Sequence, residues 1–157
     1  MDATDSLGLA AAIAEAQKSY AEGGIPIGAA LVQHASADAA PKLIACGHNQ
    51  RIQKGSATLH GEISCLENAG RLKSDVYRKC TMFTTLSPCM MCTGAILLYR
   101  IPRVVIGENT NYLGGEDLLR ERGVEVLVLD NAECKALMSK FISERPEEWN
   151  EDIGEES

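Results

Sequence analysis

The 157-residue sequence predicts an α/β fold, a three-layer α/β/α sandwich with a central sheet between helical layers. Short β-rich runs alternate with helical patterns along the chain. The first two runs flank a small polar turn of the kind that joins a hairpin. The later runs are nearly all apolar or β-branched, as strands covered on both faces are.

Taken in order, Leu9, Ile13, Ala16 and Tyr20 recur at helical spacing and mark a first amphipathic helix, which Gly23, Gly24 and Pro26 end. Ile27 to Val32 reads as a strand, His34 to Pro41 as a turn, and Leu43 to Cys46 as its hairpin partner. Gly47 to Gly55 is a loop. A helix follows from about Leu59 to Ala69, capped by Thr58 or Ser56. Cys80 to Thr85 is a third strand. Ser87-Pro88 then supplies a cap and a proline at the first helical position, for a helix running to about Tyr99. Val104 to Gly107 and Val124 to Leu129 are two further strands, with a short helix around Glu116 to Arg120 between them. A last helix starts near Asn131, shows Leu137, Met138, Phe141 and Ile142 on one side, and stops before Pro146. With no repeat and no linker, the sequence reads as one domain, 1–157.

A net charge of −7 disfavours a long nucleic-acid partner, because phosphate binding relies on Lys and Arg. The opening residues lack a basic leader pattern and no apolar run is long enough to span a bilayer, so the expectation is a cytoplasmic or nuclear protein without membrane contact. Six cysteines in such a chain read as thiols or metal ligands. Cys46, Cys65, Cys80 and Cys134 sit in apolar or helical patterns and read as small core residues, and His34 reads as an exposed turn residue.

Cys89 and Cys92 differ. At i and i+3 near a helix start they share one face, and the N-terminal dipole favours the thiolate form that binds metal. A third ligand is available in His60, at the opening of another helix, with Glu62 two residues on and free for proton transfer. In a regular helix i and i+2 do not share a face, so this works only where the helix is just beginning. Three protein ligands leave the fourth position of a tetrahedral zinc for water, the mark of a catalytic site. His-x-Glu followed by Pro-Cys-x-x-Cys is the signature of zinc nucleobase deaminases.

Over nearly its whole length the chain also resembles the fungal-type cytosine deaminases of the zinc-dependent cytidine and deoxycytidylate deaminase superfamily. The carrying stretches are Gly24 to Gly28, Gly47-His48-Asn49, Gln53 to Glu62, Thr84 to Cys89, and the tail from Trp149 to Glu155. The resemblance implies a cytidine-deaminase-like, five-stranded mixed sheet, a homodimer, and one catalytic zinc ion per subunit on His60, Cys89 and Cys92. It further implies conversion of free cytosine to uracil and ammonia in pyrimidine salvage, with attack at C4 and Glu62 as the proton shuttle. Asn49 and the Gly61 backbone are expected at the N1/O2 edge of the base, with Asp152 and the Ser87 backbone at the exocyclic amine. Ile27 and Leu86 fall on the pocket wall, and Tyr112 and Trp149 where the family covers the base with aromatic rings. Tyr112 departs from a Phe, and the stretches His34 to Pro41 and Leu113 to Gly115 also differ from the family. The segment 147–157, with the sole Trp, reads as a C-terminal lid.

Two other classes stay open on sequence grounds. One is a superfamily member acting on guanine, a nucleoside or tRNA adenosine, which the acidic charge and Gly61 in place of Ala disfavour. The other is a zinc-stabilised interaction module, for which Glu62 would be dispensable.

Overall fold

A computed structural model describes residues 1–155, so the last two residues of the segment expected to form a lid lie outside the described residues. Strands β1 (Gly28–Gln33), β2 (Lys42–His48), β3 (Cys80–Leu86), β4 (Arg103–Glu108) and β5 (Glu125–Val128) form one sheet in the order β2-β1-β3-β4-β5. β1 pairs antiparallel with β2 and β3, while β3, β4 and β5 run parallel, so the sheet is mixed. The parallel steps need crossovers, supplied by helices α5 (Met90–Leu98) and α6 (Glu116–Glu121).

The period of two along β1 assigns the layers. Ala30 and Val32 face helix α1 (Ala3–Ala21), sharing a cluster with Ala12, Phe83 and Val105. Ala29 and Leu31 face the other way, toward Cys65 of α3 (Gly61–Ala69), Ile96 of α5 and Leu119 of α6. Helix α7 (Ala132–Glu144) packs on α1 and β4. Gly28 and Gly47 bring the first helices close to the sheet. A Cβ on Gly28 would lie 2.0 Å from the Ala12 carbonyl oxygen, and one on Gly47 would lie 2.5 Å from the Cys65 nitrogen.

Several local expectations need correction. The buried stripe of α1 is Gly8, Ala12, Ala16 and Ser19, with Leu9, Ile13 and Tyr20 only half-buried, because small residues let the helix lie directly on Phe83. β5 alternates exposed and half-buried residues, since it is an outer strand, whereas β3 is buried throughout. The loop after β2 contains a helical turn, α2 (Arg51–Lys54), which Gly55 ends in the left-handed region at φ 58°. A second short helix, α4 (Ser74–Tyr77), was not expected. Neither Ser56 nor Thr58 caps α3; the Ser56 hydroxyl accepts from the N–H groups of Thr58 and Leu59 and closes the preceding turn. His60 takes the cap position. Likewise Cys89, not Ser87, occupies the cap of α5, and Ser87 turns sideways to Glu116. Cys46 and His34 are half-buried, the latter bonded to Thr81.

The C-terminal expectations fare better. Asn131 caps α7 by accepting from the Cys134 N–H, and α7 buries Met138 and Phe141. Pro146 then opens α8 (Pro146–Asp152), which buries Trp149 and Asp152. Among the described residues no helix is long and apolar enough to cross a membrane.

Candidate active site

The site forms where β3 ends and two helices begin. His60 and Cys89 both have extended cap conformations, with ψ of 163° and 174°, and neither makes a side-chain capping bond. That frees both side chains to turn to a common point. His60 Nδ1 lies 3.4 Å from Cys89 Sγ, and the donor atoms of His60, Cys89 and Cys92 lie within 4.8 Å of one another. An imidazole and two thiols converging this way fit a zinc ion with a fourth position left for water. Among the described residues no fourth His or Cys joins the cluster, which speaks against a closed structural site. His48 is engaged elsewhere, between Glu15 and Glu22.

The electrostatics suit metal binding. A hydrogen bond from Cys92, aided by His60, pulls the Cys89 thiol down to about 4. Hydrogen bonding to Cys89 and burial together push the Cys92 thiol well above its ordinary value. Burial pulls His60 down, but its bond to Cys89 and the carboxylates of Asp152 and Glu62 outweigh this and raise it to about 9. The site thus keeps one thiolate and holds protons that a metal displaces.

Glu62 follows in the first turn of α3 and is buried. Burial raises its carboxyl above the ordinary range, against the opposing pull of His60 and of hydrogen bonds from Cys92 and Thr84. The Thr84 hydroxyl lies 2.9 Å from both Glu62 Oε1 and the Leu86 carbonyl.

A small cavity opens beside these groups, lined by Ile27, His60, Glu62, Leu86, Ser87 and Cys89 from the sheet side. Tyr112, Trp149, Asp152 and Ile153 line it from the C-terminal side. The Tyr112 and Trp149 rings meet edge to face, with centroids 6.2 Å apart. Asn49, Gly61 and Cys92 stand just behind this wall. Asn49 Nδ2 lies 3.2 Å and 3.3 Å from the two Asp152 oxygens, and Asp152 Oδ1 lies 3.4 Å from His60 Nε2. A Cβ on Gly61 would meet the Ile27 carbonyl oxygen at 3.1 Å and its Cγ2 at 3.3 Å, so a side chain there would press on the wall. Ser87 donates its hydroxyl proton to Glu116, accepts from the Gly114 N–H, and donates its own N–H to the Glu108 carbonyl.

All the residues singled out from sequence therefore come together. Ile153, from the segment expected to form a lid, is on the wall as well, and three that the sequence did not single out join them: Thr84 behind Glu62, Glu116 behind Ser87, and Arg51, whose guanidinium reaches Asp152. No local sequence pattern marks Thr84, Glu116 or Arg51, since each acts through a partner far along the chain.

Residues 2–108 match the cytidine and deoxycytidylate deaminase zinc-binding region. A cytosine deaminase of Candida albicans is 60% identical over 151 residues, covering 96% of this chain and 97% of that protein. A tRNA-specific adenosine deaminase of Streptococcus pyogenes serotype M18 is 36% identical over 110 residues, covering 69% of this chain and 65% of that protein. Among solved structures, a guanine deaminase from Nitrosomonas europaea superposes with a TM-score of 0.67 at 23% identity, covering 86% of this chain and 82% of the other, and speaks to the fold alone. Because the matched segment contains the two helix starts that bring the three donors together, the chain belongs to the cytidine and deoxycytidylate deaminase zinc-binding family.

Proposed function

We propose that this enzyme hydrolyses free cytosine to uracil and ammonia. The observation that carries the reading is the near-full-length identity of 60% to a cytosine deaminase, which reaches well past the zinc-binding segment. The cavity supports it. It is a small space roofed by the edge-to-face Tyr112 and Trp149 rings, which suits a flat ring.

His60, Cys89 and Cys92 would hold the zinc ion, which would supply a Lewis acid that makes water nucleophilic near neutral pH. Glu62 takes a proton from that water and gives it to ring N3, so that C4 becomes electrophilic and the water oxygen adds there. Glu62 then takes the proton of the new C4 hydroxyl and gives it to the exocyclic nitrogen, so that the C4–N bond breaks, ammonia leaves and the C4 carbonyl forms. Burial that raises the Glu62 carboxyl suits a group that must hold a proton as well as accept one.

In this reading Asn49 and the Gly61 main chain take the N1/O2 edge of the base. Asp152 and the Ser87 main chain take the amine. Ile27 and Leu86 form the wall, and Tyr112 and Trp149 cover the ring. The burial of Trp149 and Asp152 supports α8 as a lid that keeps bulk water out. A homodimer is supported by the outer face of α5, where Met90, Met91, Leu98 and Tyr99 are exposed beside a groove lined by Ile63 and Leu66.

The Streptococcus pyogenes relative favours a second reading, deamination of tRNA adenosine, which the net charge of −7 opposes. Purified protein incubated with cytosine, cytidine, guanine, adenine and tRNA separates the readings by ammonia release. Ammonia from cytosine alone is the expected result; release from tRNA or guanine and not from cytosine would overturn it.

A further inference from the structure

Arg51, the first residue of α2, ties together the two groups assigned to opposite edges of the base. Its main-chain N–H donates to Asn49 Oδ1 at 3.0 Å. Its guanidinium meets α8 as a fork: Nη1 and Nη2 donate to the two Glu151 carboxylate oxygens at 2.5 Å and 2.8 Å, and Nη1 also lies 3.1 Å from Asp152 Oδ1. The remaining Nε–H goes to the Ala57 carbonyl at 3.0 Å and fixes the plane of the fork.

A helix of seven residues has little stability of its own, so the position of α8 is set by what it touches. Its apolar side rests on the cluster of Ile25, Ile27, Leu86 and Phe141 through Trp149. Its polar side, over the loop that carries Asn49, is held by Arg51. The two arms of the fork differ in kind. Glu151 has a side chain 66% exposed, so that arm is screened by salt, whereas Asp152 is buried at 1% and its arm is not.

We propose that Arg51 is a positioning residue that latches α8 over the base, holding Asp152 against Asn49 and setting how fast product leaves. The identity of the ligand rests on the cytosine reading; the latch does not.

Trp149 is the sole Trp and sits in α8, so its emission reports the lid with no ligand present. The test uses the zinc-loaded full chain with Arg51→Gln, Arg51→Lys and Glu151→Gln. In Arg51→Gln the emission of the free enzyme should shift to the red, and uracil release followed by stopped flow should accelerate by about tenfold, with a matching rise in KM for cytosine and unchanged zinc content. Arg51→Lys, which cannot bridge both carboxylates, should fall between it and the parent. Glu151→Gln should speed release by only about threefold, an effect lost in roughly 0.5 M salt. Unchanged uracil release in Arg51→Gln overturns the latch. If that variant does not fold, unchanged emission and release in Glu151→Gln at low salt overturn it instead. Should uracil fail to bind the parent enzyme, the substrate reading falls, and the emission of the free variants alone decides the latch.

Discussion

Glu62 shows most plainly what a single side chain contributes. It sits two positions after a metal ligand, buried, with a threonine hydroxyl 2.9 Å from one carboxylate oxygen. Replacing it with Ala removes the carboxylate proposed to carry protons without removing a donor from the cluster of His60, Cys89 and Cys92. Glu62→Ala should therefore retain zinc by metal analysis and lose turnover by a factor on the order of 10²–10⁴ in ammonia release. Near-normal activity in that variant would end the proton-shuttle assignment. These residues were legible because each belongs to a motif a few positions long. Arg51 was not, since its partner Glu151 lies 100 positions away and no local pattern joins them. Thr84 was hidden for a different reason: in a buried strand it reads as one more β-branched residue.

Among the secondary-structure elements, the misreadings that bear on the site are the helix starts. Ser56, Thr58 and Ser87 carry the hydroxyls that ordinarily cap helices, yet the cap positions of α3 and α5 belong to His60 and Cys89. A cap residue has extended backbone, so its side chain escapes the helical periodicity that would separate His60 from Glu62. The site uses cap geometry for ligands and forgoes the capping bond. The strands, by contrast, were readable to within one or two residues as β-rich runs, the largest shortfall being β2, which continues through Gly47 and His48 where a loop was expected. At the chain end, α8 packs Trp149 against the cluster that contains Ile27 and Leu86, both of which line the cavity. Truncation after Arg145 should leave the sheet and α1 to α7 folded by circular dichroism while cytosine turnover falls by at least about a hundredfold. Unchanged kinetics in the truncated enzyme would remove α8 from the reaction.

Across the whole molecule, two features make predictions that do not involve the site. Arg103 at the start of β4 donates to both oxygens of Asp5 in the first turn of α1, tying the outer helix to the sheet. The Arg103 hydrogen bonds hold the Asp5 carboxyl below its ordinary value despite burial. The resulting stability is present above the unfolded carboxylate value of about 4 and is lost as pH falls through the lower folded value. Asp5→Asn should cost about 1–2 kcal/mol in urea unfolding at neutral pH, with the difference from the parent shrinking in acid. The second feature is the outer face of α5, where Leu98 is 71% exposed. Leu98→Glu should sediment as a monomer where the parent sediments as a dimer; a parent that is itself monomeric would refute the homodimer. The layered fold was legible as a whole because alternation of strands and helices admits few arrangements. The exposed apolar face of α5 was not, since an apolar stripe on a helix looks the same in sequence whether it faces a core or the outside.

One consequence of how the cavity is assembled concerns inheritance more than mechanism. The segment matched to the family ends at residue 108, after every metal ligand and Glu62 but before Tyr112, Trp149 and Asp152. The reactive half of the cavity is thus shared property of the family, while most of the half that faces it is written in the last third of the chain. A change of base would draw on that last third together with Ile27, Asn49 and Gly61, which lie inside the matched segment.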